Sequence, residues 1–234
     1  MGANMPDSLG ERLRDARLKR GLSLRRVAQS LGVSASLISQ VEIGKTQPSV
    51  ATLYALANHL GASLDELLGL ADESVAPAVG AVDGSGGLLA VQRADDNPVI
   101  EMENGVRWER LAAAAGGPAD AILVTYEPGA SSSVEGKLMR HAGIEYAYLL
   151  EGELTLHLDF DTYVLRPGDS LQFDSVRPHL YENRGSGIAK GVWFVVGRRQ
   201  QNQAMRDAPG EPVKPGATIG SAVDVLRSLD ELGA

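Results

Sequence analysis

The sequence predicts two domains of different fold class, a helical bundle at the N-terminus followed by an all-β barrel or sandwich. In residues 1–70, apolar residues recur at helical spacing, with serines at the starts and glycines just past the ends of the inferred helices. Residues 88–199 instead alternate short runs rich in Val, Leu, Tyr and Phe with Gly, Pro and Asp turns. Residues 71–87 are small, acidic and without periodicity, which predicts a flexible linker that lets each domain fold on its own.

Five short helices are predicted in the N-terminal domain. S-x-x-E capping boxes open the first helix at Ser8 and the fifth at Ser63. A serine can also cap each of the other three helices, and a glycine stands just past each of the five ends. The predicted spans are 8–20, 23–31, 34–42, 49–60 and 63–68.

The second and third of these helices are joined by a tight turn that contains Gly32. Two helices crossed over so short a turn match the helix-turn-helix signature, in which the second helix enters the major groove of DNA. The start of that helix then faces base edges, while polar and basic residues around it face phosphates. The predicted base contacts are Ala35, Ser36, Ser39 and Gln40, and the predicted phosphate contacts are Ser23, Arg25, Arg26 and Lys45.

The distribution of charge agrees with DNA binding by the first domain. The whole chain has a net charge of −8, which by itself argues against a nucleic-acid partner. Residues 9–45, however, hold eight basic and three acidic residues, whereas residues 71–234 hold 14 basic and 24 acidic residues. A local basic surface is what attraction to phosphates requires, and the acidic remainder favours solubility.

The run G-V-S-x-S-x-I-S-x-x-E-x-G-K-x-x-P-S from Gly32 to Ser49 is similar to the phage-repressor-like, or XRE-type, helix-turn-helix family. The resemblance covers residues 8–69 and implies a DNA-binding transcription regulator. It also implies an ion pair between Arg17 and Glu42, which gives both residues a structural role. Because one small reading helix buries too little surface for operator specificity, we expect a homodimer or higher homo-oligomer on a double-stranded operator.

Six strands are predicted in the second domain, and the tail 200–234 is predicted to be largely disordered. The chain contains no cysteine, so neither disulfides nor thiolate metal sites can hold it together. No apolar run approaches the ~18 residues of a membrane helix, so we expect a cytoplasmic protein with no membrane partner. The predicted strands are Ala121–Tyr126, Ile144–Leu150, Leu154–Phe160, Asp161–Leu165, Ser170–Phe173 and Ala189–Val196.

Two segments of this domain together resemble the two motifs of the cupin superfamily. The first is M-R-H-A-G-I-E at residues 139–145, and the second runs from P-G-D at residues 167–169 to P-H-x3-N, which ends at Asn183. The resemblance covers residues 95–197 and implies a double-stranded β-helix barrel. It places His141, Glu145 and His179 at metal-ligand positions of the family, and Met139 at the position of the family's first histidine.

The methionine leaves a four-ligand metal site incomplete, because a thioether is a soft ligand unsuited to Mn, Ni or Fe(II). The remaining two histidines and one carboxylate form the ligand set of the facial triad in non-haem iron oxygenases. The sequence leaves two interpretations open, a divalent metal (Fe, Mn, Ni or Zn) or a metal-free pocket that hydrogen-bonds a small molecule. Besides the triad, the candidate contacts for a small-molecule effector are Met139, Arg107, Tyr126, Tyr181 and Trp193.

Two classes of function follow from these resemblances. In the first, the protein is a regulator whose C-terminal cupin domain senses a small molecule. In the second, it is a non-haem iron enzyme that resembles the 2-hydroxypropylphosphonic acid epoxidase family, which carries the same H-A-G-x-E string as residues 141–145. The complete recognition-helix sequence and the basic surplus of the first domain favour the regulator, so we predict that the chain is not an enzyme.

Overall fold

The computed structural model describes residues 8–69, 91–112 and 119–197. The predicted linker 71–87 and tail 200–234 lie outside the described residues. Five α-helices come first, and they match the predicted spans once the capping residues are counted. They are α1 (Leu9–Lys19), α2 (Leu24–Leu31), α3 (Ala35–Glu42), α4 (Val50–Leu60) and α5 (Leu64–Leu68).

A serine caps the N-terminus of each helix, as predicted. Each serine hydroxyl accepts a hydrogen bond from the backbone N–H three residues later, at 3.0 Å for Ser34 and 3.3 Å for Ser8. At Ser8 and Ser63 the glutamate three residues on also accepts from the serine's own N–H, which completes two capping boxes. Each such cap stabilises a helix by about 1 kcal/mol, so local signals account for the confirmed helix starts.

The predicted ion pair between Arg17 and Glu42 is confirmed, and it joins α1 to the end of α3. Arg17 Nε lies 2.6 Å from Glu42 Oε1, and its second terminal nitrogen lies 2.7 Å from Oε2. Both side chains are buried, and the remaining guanidinium nitrogen donates to the carbonyl oxygen of Leu22 at 2.8 Å. The hydrogen bond to Glu42 raises the pKa of Arg17, so the guanidinium stays charged and fixes α3 in place.

Nine strands lie in the described part of the second domain, and all six predicted strands are among them. The predicted strand Leu154–Phe160 ends early, because Asp159 adopts a φ of 54° in the turn that follows. The strands are β1 (Val99–Glu101), β2 (Val106–Arg110), β3 (Ala119–Tyr126), β4 (Ile144–Glu151), β5 (Leu154–Leu158), β6 (Asp161–Leu165), β7 (Ser170–Asp174), β8 (His179–Glu182) and β9 (Ala189–Val196).

The strands pair antiparallel in two sheets, ordered β1-β2-β3-β9-β4-β7 and β6-β5-β8. Buried apolar side chains from both sheets share one core, which confirms the predicted β-barrel. Three strands were not predicted: β1 and β8 have only three and four residues, and β2 carries charged residues at alternate positions. Such short or charged runs give a weak strand signal when they are read alone.

The helical domain packs directly on the barrel. The backbone N–H of Ala51 donates to Ser132 O at 3.0 Å, and that of Glu103 donates to Pro48 O at 3.1 Å. At the far side, the guanidinium of Arg110 lies 3.1 Å from a carboxylate oxygen of Asp65 in α5. This interface was not predicted from the sequence, and it makes the two domains neighbours in space. None of the helices in the described part of the chain is long and apolar enough to cross a membrane.

Candidate functional site

The outer face of α3 carries the predicted base contacts. Ser36 and Gln40 are exposed there, and Ala35 and Ser39 are half-buried beside them. The opposite face of the helix is buried against the bundle through Ile38, Val41 and Glu42. The helix therefore presents short polar side chains to solvent on one side, and the pair with Arg17 holds its other side.

The predicted phosphate contacts flank this face. Arg25, Arg26 and Lys45 are exposed, and none of them forms an ion pair with any of the described residues. Ser23 is exposed as well, but its hydroxyl oxygen already caps α2 by accepting from the Arg26 N–H at 3.2 Å. The hydroxyl of Ser23 can still donate a hydrogen bond while its oxygen caps the helix, so the structural role is compatible with the predicted phosphate contact.

The three predicted metal ligands come together inside the barrel. His141 lies in the loop before β4, Glu145 is the second residue of β4, and His179 opens β8. Each is at most 3% exposed. One ligand atom from each residue lies within 4.8 Å of the other two, and no other such group occurs in the described ranges. The chain bends at Ala142 and Gly143, where Gly143 has a φ of 112°, and this bend brings His141 back beside Glu145.

The tautomer of both histidines leaves a lone pair at the centre of the site. Nδ1 of His141 lies 3.1 Å from the carbonyl oxygen of Ala142, and Nδ1 of His179 lies 2.8 Å from that of Arg177. A carbonyl oxygen only accepts, so each Nδ1 carries a proton, and in the neutral imidazole each Nε2 is an acceptor. Carbonyl partners of this kind also orient metal-ligating histidines.

The two Nε2 atoms lie close to Glu145 without being aligned for hydrogen bonds to it. They are 2.7 Å (His141) and 3.2 Å (His179) from Glu145 Oε1, yet both remain buried without a hydrogen-bond partner. Three acceptor atoms this close repel one another unless a cation or a proton lies among them. The orphaned nitrogens together with a carboxylate oxygen fit a divalent metal, since this donor set suits Fe, Mn, Ni and Zn.

Glu145 is held in its charged form. Burial alone would raise its pKa, but His141 and His179 outweigh this effect and hold the pKa below its ordinary value when an imidazole carries a proton at Nε2 as well and is a charged hydrogen-bond donor to the carboxylate. The hydroxyl of Tyr181 donates to Glu145 Oε2 at 2.8 Å. This hydrogen bond satisfies one carboxylate oxygen and leaves Oε1 directed at the two histidines.

The other predicted effector contacts separate into three groups. Tyr181 contacts the triad directly, and Trp193 and Tyr126 lie behind it, with ring centroids 5.5 Å and 6.4 Å from that of Tyr181. Met139 is buried and pairs with His179 through two backbone hydrogen bonds of 2.8 and 3.0 Å. Because directly opposed residues of an antiparallel pair share a face, the Met139 side chain lies beside His179.

The prediction for Arg107 is wrong. Its side chain is 41% exposed and forms an ion pair with Glu101 at 3.0 Å and a second one with Glu109. Residues alternate between the faces of a strand, and in β2 the inward positions belong to Val106, Trp108 and Arg110. Arg107 therefore lies on the outside of the barrel and does not contact a ligand within it.

One wall of the site comes from the helical domain and was not predicted from the sequence. The ring of Tyr54 in α4 stacks on the imidazole of His141, with 4.1 Å between ring centroids and 12° between ring planes. Trp108 of β2 packs edge-on against the same tyrosine at 5.4 Å. A signal was present, since α4 is apolar on nearly every side, which indicates a helix covered on two faces.

Comparisons with known proteins agree with this architecture. A family model described as a helix-turn-helix domain matches residues 8–70, and one described as a cupin domain matches residues 122–195. The HTH-type transcriptional regulator PuuR of Escherichia coli (strain K12) is 31% identical over 185 residues, which cover 77% of this chain and 90% of that protein. The HTH-type transcriptional regulator SutR of the same strain is 24% identical over 182 residues, or 78% of this chain and 90% of that one.

A solved structure shows the same fold. The crystal structure of an HTH_3 family transcriptional regulator from Vibrio cholerae superimposes with a TM-score of 0.57 at 22% sequence identity. The match covers 82% of this chain and 96% of that chain, so it extends over the helical and the β domain alike.

Proposed function

This chain belongs to the HTH-type transcriptional regulators that carry a cupin domain after the helix-turn-helix domain, and we propose that it binds a two-fold-symmetric operator as a homodimer under the control of a small molecule. In this proposal residues 1–70 bind DNA in the cytoplasm, and residues 88–199 sense the effector at His141, Glu145 and His179. The observation that carries the sensor assignment is the pair of buried, unpartnered Nε2 atoms beside a charged carboxylate.

The exposed face of α3 supports the DNA-binding part of the proposal. Gln40 can contact adenine through two hydrogen bonds, whereas Ser36 and Ser39 discriminate less between bases and Ala35 can only contact a thymine methyl group. Direct readout by such a short set is modest, so the shape of the duplex contributes to specificity. One α3 per chain also buries too little surface alone, which favours two chains on half-sites about one helical turn apart.

Arg25→Ala should weaken binding to operator and random DNA alike and should lower the salt dependence by about one counterion. Gln40→Ala should instead cost about 1–3 kcal/mol at one base pair and leave binding to random duplex nearly unchanged. Fluorescence anisotropy with a duplex selected from a random pool, at several salt concentrations, measures both. If the wild-type affinity for the selected duplex did not depend on salt, or did not exceed the affinity for random duplex, the proposed operator binding would be excluded.

The geometry of the triad supports a metal-assisted sensor. A divalent ion at these residues has three protein ligands, which leaves coordination positions open for a chelating effector. His141 and His179 would supply Nε2, Glu145 would supply Oε1, and the hydroxyl of Tyr181 would orient the carboxylate. Metal and effector should therefore bind cooperatively.

Met139→His should raise the affinity for Mn, Fe(II) and Ni, because it restores a fourth nitrogen ligand beside His179. Isothermal titration calorimetry of wild type and variant measures the change. Met139→Leu is the matched control, since it keeps an apolar side chain of similar size and should bind metal as the wild type does. Equal metal affinities of Met139→His and Met139→Leu would show that residue 139 lies outside the reach of the metal.

If the protein were a non-haem iron enzyme, it would convert a phosphonate in the presence of Fe(II) and oxygen. Product analysis of the purified protein measures this conversion directly. The relatives PuuR and SutR are named as transcriptional regulators, and this favours control of DNA binding as the role of the triad. We therefore expect no turnover and a change in operator affinity instead.

A further inference from the structure

Helix α4 lies between the DNA-binding face and the barrel site. Its Tyr54 is 5% exposed, stacks on His141 and is flanked by Trp108. The helix thus contributes an aromatic ring to a site whose other described members belong to the β domain. That ring is in direct contact with a candidate metal ligand.

The triad is closed off from solvent, since His141, Glu145 and His179 are each at most 3% exposed. A surface cleft of about 590 Å³ is lined by residues such as Glu127 and Ser133, and a second cleft lies on the outer surface of β4, β7 and β9. Neither cleft includes a triad residue. A small molecule therefore reaches the triad only when part of its wall moves, and the ring of Tyr54 forms part of that wall.

Helix α4 is also coupled to the recognition helix. The segment between α3 and α4 comprises only residues 43–49, and Pro48 within it accepts a hydrogen bond from Glu103 of the β domain. At the start of α4, Ala51 donates to Ser132. Helix α4 packs on α1 and α2, which both pack on α3, so a displacement of α4 from the barrel can reach α3 through these helices and through the short connection 43–49.

We propose that Tyr54 is the lid of the barrel site and that its stack on His141 is the contact through which ligand occupancy is transmitted to the recognition helix. A ligand enters or leaves the triad only when the ring moves aside, and a bound ligand changes how the ring rests on His141, so that α4 shifts on the barrel and the orientation of α3 in the dimer changes. This inference rests on the proposed function of the triad as a ligand site. It adds that the DNA-binding domain itself closes that site.

Co²⁺ alone is a suitable probe, because its absorption reports binding directly. With Tyr54→Leu, transfer of Co²⁺ from the full-length protein to a chelator should be faster by roughly tenfold, the contribution of a stacked aromatic pair. Tyr54→Phe keeps the ring and should release Co²⁺ near the wild-type rate. Tyr163→Leu removes an exposed tyrosine on β6 and serves as the matched control.

Operator binding with and without Co²⁺ tests the transmission. Saturating Co²⁺ should change the wild-type affinity for a selected duplex by about fivefold or more, the usual range of coupling between sites. In Tyr54→Leu that ratio should fall close to one, while Tyr163→Leu should keep it. Equal Co²⁺ release rates in Tyr54→Leu and wild type would overturn the proposal that Tyr54 is a lid. The proposed transmission would be overturned if Co²⁺ changed the operator affinity of Tyr54→Leu as much as that of the wild type, or if it left the wild-type affinity unchanged.

A cross-linked variant tests the same proposal if Tyr54→Leu does not fold. The chain has no cysteine, so Ala51→Cys combined with Ser132→Cys introduces a unique thiol pair across the interface. Oxidation should slow Co²⁺ release, and a reductant should restore it. An oxidised form that exchanges Co²⁺ as fast as the reduced form contradicts the lid. If the wild type binds no Co²⁺ at all, the metal site of the proposed function fails, and this inference fails with it.

Discussion

Replacing Glu42 by alanine should lower the free energy of unfolding of the helical domain by about 3–5 kcal/mol, because it leaves the buried guanidinium of Arg17 without its partner. Urea titrations of the full-length protein measure the effect. Of the two tryptophans, Trp108 packs on Tyr54 of α4, so the titrations use a Trp108→Phe background in which the fluorescence of Trp193 in β9 follows the barrel. Circular dichroism at the helix band follows the five helices. In Glu42→Ala, the urea midpoint measured by circular dichroism should therefore fall by more than the urea midpoint measured by fluorescence.

Gln40→Ala is the matched control, since Gln40 is exposed on the same helix and its loss should change stability by less than about 0.5 kcal/mol. The double variant Arg17→Met with Glu42→Leu tests the cause. It removes both charges, and replacing a buried ion pair by apolar side chains is often neutral. If Glu42→Ala and Gln40→Ala had the same free energy of unfolding, the ion pair between Arg17 and Glu42 would contribute nothing to the stability of the helical domain.

The helices were predictable because their signals are local. A serine at the start and a glycine after the end act within one turn of the chain, and the structure uses all five serines as caps. The pair of Arg17 with Glu42 spans 25 positions and followed from a family resemblance alone. The short strands β1 and β8 were missed because a strand is defined by its partner, which a linear reading does not supply.

Only those site residues that belong to a recognisable sequence motif could be predicted. His141, Glu145 and His179 stand in two recognisable strings, and the structure brings their ligand atoms together. Arg107 was chosen for its charge alone, and the alternation of β2 places it on the outer surface. Tyr54 comes from another domain, and its contact with His141 depends on how the domains dock, which neither segment encodes by itself.

His179→Ala should abolish binding of divalent metal by the barrel. The imidazole supplies one of three ligand atoms, and even the loss of an outer partner weakens metal binding by about 10–100-fold, so the loss of a ligand should exceed that range. Tyr181→Phe removes the hydrogen bond to Glu145 Oε2, together with the hydrogen bond between the same hydroxyl and Trp193, and should weaken binding by about 10–100-fold. Isothermal titration calorimetry with Co²⁺ or Mn²⁺ measures the metal affinity of the wild type and of both variants under the same conditions.

His157→Ala provides the control, because His157 lies on β5 and contacts Thr162 and Glu182 away from the triad. It should bind metal as the wild type does. In the metal-free state His179→Ala should bind operator DNA as tightly as the wild type, since the DNA contacts lie on α3 and its flanks, and only the response to ligand should be lost. A His179→Ala protein that loses operator binding without any ligand would make the triad a structural element of the domain interface. One that keeps wild-type metal affinity would show that the ion is held by other residues.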